Sequence, residues 1–189
     1  MSDWLDIVGS FIIGGIVILI FANLKLSISA SASENLYSGI VQRGVTSATD
    51  LMEYDFYKIG YRNSGNKIEL ADSNEIKFYG DLNNDGVSDE VHYFLGDTET
   101  FTETSNPNDF LLTREKDNEN PAASIPVVYF KLTYYDSLGQ KIDYTLLSSQ
   151  SERDKIKTLR ISMKCESSDM IDGHYEAVEW EKTIKPKNI

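Results

Sequence analysis

Ile7 through Leu24, IVGSFIIGGIVILIFANL, is apolar on every side and carries no ionisable group. Its 18 residues, at about 1.5 Å each, span about 27 Å, enough to cross a hydrocarbon core. No second segment of similar apolarity exists to bury it in a soluble core, so lipid or other helices must cover it. From Ser27 to about Tyr61 there is no proline. Leu36, Ile40, Val41, Val45, Ala48, Leu51, Met52, Phe56 and Ile59 recur at three- and four-residue steps, an amphipathic helix pattern. Asp50, Glu53, Tyr57 and Lys58 tend to lie off that stripe. Gly60 stands where a C-terminal glycine cap belongs. The serine-rich SISASAS at 27–33 is weak helix former and predicts a break or stretched turn there.

After Gly60 the period falls to two. Strands are expected over 67–70, 74–80, 90–95, 109–114, 127–135, 158–164 and 176–184. Asp85-Gly86 between alternating apolar runs signals a hairpin. Asp136-Ser137-Leu138-Gly139 reads as a turn. The expected fold class is therefore α+β, one long N-terminal helix packed on an antiparallel sheet. Residues 1–60 form the membrane or assembly helix, and 61–189 the sheet domain.

The apolar segment is broken by small residues. Ser10 and Gly14 have the small-xxx-small spacing that lets helix backbones approach closely in lipid. With Phe11, Gly15, Ile18 and Phe21 they form the candidate assembly face. Asp3 and Asp6 precede the segment without any Lys or Arg. That favours a retained helix over a secretory signal cleaved near Ala30 or Ala32. Lys25 alone would place the C-terminal side in the cytoplasm by the positive-inside rule. The character of the later domain outweighs one lysine and places it outside.

The net charge of −12 argues against nucleic acid, whose phosphates need Lys and Arg. Cys165, the only cysteine, can form no intrachain disulfide. In the alternating run 159–165 it reads as a buried structural thiol. His92 and His174 are the only histidines. Phosphate-cradling loops, zinc helices and nucleophile elbows are missing from the sequence, so no enzymatic activity is expected. One segment does carry site chemistry. Asp81, Asn83, Asp85 and Asp89 take positions one, three, five and nine of an EF-hand-like loop, with Gly86 at the sixth and the Val87 carbonyl at the seventh. Position twelve is His92 rather than glutamate, so Glu90, Asp97 or water must substitute. A structural Ca²⁺ is the cofactor this pattern implies. The alternative is a polar hairpin whose Asn, Asp and Gly serve only the turn.

Taken together, the pieces resemble minor type IV pilins of the PilW kind and type II secretion pseudopilins. The resemblance rests on Leu51-Met52-Glu53-Tyr54-Asp55-Phe56-Tyr57-Lys58-Ile59-Gly60-Tyr61 at the helix end and on the hairpin 76–93. It also rests on Phe130–Gly139 followed by Ile156–Met163, and on the ending Trp180–Ile189. The N-terminus is atypical: Gly9-Ser10-Phe11 lacks the family's nearby glutamate, Asp6 being the closest acid. The resemblance implies a structural subunit of a pilus-like or pseudopilus-like filament. Its partners would be homologous subunits through helix packing, and the inner membrane before assembly. The other class open to the sequence is a stand-alone, membrane-anchored, calcium-stabilised extracellular binding module.

Overall fold

The computed structural model describes residues 2–96, 104–117, 123–170 and 173–189. One helix, α1 (Ser2–Tyr57), runs for 56 residues without interruption. The expected break at 27–33 does not occur. Ser33 Oγ donates to the Ser29 carbonyl and Asn35 Nδ2 to the Ser31 carbonyl, each one turn back. The polar side chains thus bond within the helix instead of competing with it.

Eight strands follow among the described residues: β1 (Ile68–Ala71), β2 (Glu75–Gly80), β3 (Asp89–Leu95), β4 (Phe110–Lys116), β5 (Ala123–Val127), β6 (Tyr129–Tyr135), β7 (Thr158–Glu166) and β8 (Ala177–Ile184). They make two antiparallel sheets, β1-β2-β3-β4-β5 and β6-β7-β8. The strand expected over 127–135 begins only at Tyr129, and β5, which ends at Val127, was not expected; Val128 parts the two. Pro126 pairs with Leu111 on the outer strand of the first sheet, where its missing N–H costs no ladder bond. Val128 then donates to the Lys164 carbonyl, turning the chain into the second sheet. A 3₁₀ turn (Tyr144–Ser148) and a short helix, α2 (Gln150–Arg153), join β6 to β7. No apolar periodicity announced them. Asp143 caps the turn by accepting from the Thr145 N–H, and Arg153 donates to the Leu147, Ser148 and Ile68 carbonyls.

The C-terminal part of α1 closes the core. Val45, Met52, Phe56 and Ile59 are buried with Ile76, Phe78, Val91, Leu132, Leu159, Ile161 and Ile184 from both sheets. The Phe56 ring lies 5.5 Å from Phe78 and 5.4 Å from Tyr93. Leu36, Ile40 and Leu51 of the expected stripe stay exposed. The sheets meet a narrower arc of the helix than the stripe is wide, so these residues fall outside it.

Inside that seam lies an ion pair. Asp55, fully buried, accepts from Arg114 Nε at 2.6 Å and from the Tyr93 hydroxyl at 2.7 Å. Burial opposes the Arg114 charge, but the hydrogen bond and attraction to Asp55 outweigh it and raise its pKa. Burial, and then the Asp55 charge, push the Tyr93 phenol well above its ordinary value.

Candidate functional site: the exposed helix and the loop at its end

Among the described residues, the apolar window in the N-terminal half of α1 is left uncovered by the domain. An 18-residue window of it has mean hydropathy 2.5 and lies wholly outside the protein core, so the helix is long and apolar enough to cross a membrane. Ser10, Phe11, Gly14, Gly15 and Ile18 line one shallow groove on its surface. Nothing lies within 4 Å of where a Cβ would stand at Gly14 or Gly15. Phe11, Ile18 and Phe21 are 78%, 69% and 65% exposed. The sequence-expected assembly residues thus share a free, apolar helix surface.

The other end of α1 is fastened to the 81–88 loop between β2 and β3. The helix closes with short-range bonds, Lys58 N–H to the Asp55 carbonyl and Tyr61 N–H to the Lys58 carbonyl. Gly60 (φ +75°) turns the chain, as its position predicted, but its N–H goes to the Tyr79 carbonyl of β2 at 2.7 Å. The glycine therefore welds helix to sheet. Gly80 lies beneath the same turn: a Cβ there would come within 2.2 Å of the Lys58 carbonyl oxygen. From the turn that ends the helix, the Lys58 ammonium donates to the carbonyls of Asp81 and Leu82 and to Asn84 Oδ1, at 3.1, 2.7 and 2.8 Å. The Tyr54 hydroxyl also donates to the Leu82 carbonyl.

Within the loop, Asp81 is fully buried. Its Oδ2 accepts from the Gly86 N–H and from Arg62, both at 3.0 Å. Burial works against its charge, but Arg62 and the loop amides outweigh it and lower its pKa. Asn83 Oδ1 accepts from the Asp85 N–H and Asp85 Oδ1 from the Val87 N–H. Asn84 and Gly86 adopt positive φ, 66° and 93°. Asp89 accepts from the Leu82 N–H at 2.8 Å, and Lys116 lies 3.1 Å away. Burial again opposes a charge that these two partners hold in place, leaving its pKa lowered.

Other expected ligands do not face the loop. Glu90 follows Asp89 on β3 and so projects from the opposite face, where Lys77 and the Tyr79 hydroxyl hold it. His92 lies along the sheet, 2.7 Å from Glu75 Oε1. Asp97 lies outside the described residues. Cys165 is buried, and burial pushes its thiol up to about 12, as a structural thiol requires.

Two features escaped the sequence reading. One is the Asp55–Arg114–Tyr93 cluster. Asp55 sits one residue from Phe56 on a helix, which marks it as lining the seam, but its partners lie 38 and 59 positions away. The other is Glu34, His174 and Glu176, whose ligand atoms lie within 4.8 Å of one another at the surface. This set joins the middle of α1 to the segment entering β8. Only the tertiary fold brings it together.

Comparison with family models, curated proteins and solved structures finds no match. The fold itself defines a class: an α+β chain in which one N-terminal helix, able to span a membrane, ends inside a two-sheet antiparallel domain.

Proposed function

We propose that this protein is a structural subunit of a pilus-like or pseudopilus-like extracellular filament, assembling through its apolar N-terminal helix. The observation that carries the reading is the division of one continuous helix. Its N-terminal half presents an uncovered apolar surface, and its C-terminal part is sealed into the sheet core. A simple anchor needs only about 20 residues. Here 56 residues form a rod of about 84 Å, rigidly set in the domain by Lys58, Gly60 and Asp55. Such a rod transmits position from a helical bundle to an outer domain. Before assembly the segment Ile7–Leu24 rests in the inner membrane, with the sheet domain on the extracytoplasmic side. The partners are homologous subunits whose helices pack along the Ser10, Phe11, Gly14, Gly15, Ile18 and Phe21 face.

The experiment is site-directed cross-linking of the full chain in its native membrane and in sheared extracellular material. Cysteines placed at Ser10 and Phe21 should give ladders of cross-linked subunits. Ile18→Lys, which puts a charge costing roughly 3 kcal/mol into the apolar helix, should abolish them. A protein recovered only as a bilayer-embedded monomer would instead support the tethered binding module and refute the filament reading.

A further inference from the structure

The geometry points to a Ca²⁺ site in the 81–89 loop that fastens the end of the long helix to the sheet domain. The inference is independent of the filament reading, because it concerns a loop within one chain. Asp81 is the centre of the argument. Its carboxylate is buried and faces the loop, since Oδ2 accepts the Gly86 N–H. Its other oxygen, Oδ1, is buried without a hydrogen-bond partner among the described residues. A buried carboxylate oxygen left unpaired is costly, and a hard cation supplies the missing partner. Ser88 Oγ, in the same loop, is buried and unpartnered as well.

The remaining donors suit calcium, which takes six to eight oxygens in flexible geometry. Asn83 Oδ1 and Asp85 Oδ1 each accept one backbone N–H, which orients them and leaves a lone pair on each. The positive φ at Gly86 makes the sharp turn that such loops need at their sixth position. The Val87 carbonyl follows at the seventh. Asp89, at the ninth, contributes in these loops through water, consistent with its direct bonds to Leu82 N–H and Lys116. Of the two Asp81 oxygens, Arg62 bonds Oδ2, so Oδ1 is left for the ion. Asp85 has no ion-pair partner among the described residues. With no carboxylate at the twelfth position, water completes the shell and affinity falls in the range of extracellular modules, Kd on the order of 10⁻⁴–10⁻³ M. Because Tyr54 and Lys58 hold the Leu82 and Asp81 carbonyls, ordering the loop also rigidifies the junction between rod and domain.

The test uses the full chain in detergent, titrated with CaCl₂ by calorimetry and followed by thermal unfolding. At about 10 mM Ca²⁺ the melting temperature should rise by about 3–10 °C over that in chelator. Asp85→Ala and, separately, Asn83→Ala should abolish both heat and shift. Each side chain is exposed but also accepts one loop N–H, so melting in chelator is taken as each variant's own baseline and the shift on adding Ca²⁺ is read against it. Three results overturn the assignment: no heat and no shift in the unchanged protein, an equal response in both variants, or an equal response to MgCl₂.

Discussion

Replacing Asp55 by alanine strands the Arg114 guanidinium in the seam between α1 and the first sheet. Arg114 is 17% exposed and Asp55 not at all, so solvent screens little of the loss. Removing one member of a buried pair costs about 3–5 kcal/mol, because the other charge is left without compensation. The Tyr93 hydroxyl loses its acceptor in the same stroke, and the Tyr93 ring also packs, tilted, against Phe56. For a chain of this size about 1 kcal/mol corresponds to about 2–4 °C, so Asp55→Ala should lower the melting temperature by about 6–20 °C. The assay is urea unfolding at pH 7 of Asp55→Ala, Arg114→Met and the double variant. Arg114→Met should be damaging alone, since it leaves Asp55 buried and unpaired. The double variant should recover part of the loss, giving a coupling of roughly 1.5–3 kcal/mol, within the range for residues in one network. Single-variant costs that simply add, or an Asp55→Ala cost below about 0.5 kcal/mol, would show that this pair does not hold the helix to the sheet.

Gly80→Ala should force β2 off the helix end, because its Cβ would meet the Lys58 backbone at 2.2 Å. A cost of about 1–3 kcal/mol is expected in denaturant unfolding, and an unchanged midpoint would contradict the close approach. Cys165, buried with its pKa raised to about 12, should resist thiol reagents at pH 8 until denaturant is added; rapid labelling of native protein counts against the burial. The lowered pKa values of Asp81 and Asp89 mean that their contribution to stability is complete above the ordinary carboxylate pKa near 4. It is lost as pH falls through the depressed folded-state values. Melting temperature should therefore drop below about pH 4, less steeply in Asp89→Asn, and an identical slope in that variant would remove Asp89 from the effect.

Part of this protein was legible along the chain because local pattern suffices for it. Uniform apolarity over Ile7–Leu24 specifies a helix that no domain of this size can cover, and period-two alternation specifies seven strands to within a few residues but not β5 (Ala123–Val127). The D-x-N-x-D-G spacing likewise specified a tight polar loop, since side-chain-to-backbone bonds two residues apart are local. Other features depended on partners distant in sequence. SISASAS did not break the helix: the Ser33 hydroxyl found its acceptor one turn back. The split of the strands into two sheets came from Pro126 at an edge and from Lys164, 36 positions beyond Val128. Asp55 was only an acid on a helix until the fold brought Arg114 and Tyr93 to it. The unpaired oxygen of Asp81 follows from the packing of Arg62 and Gly86 around its neighbour. Periodicity reports which side of an element avoids water. Which groups then meet there is decided by long-range closure, and that is set by the tertiary structure alone.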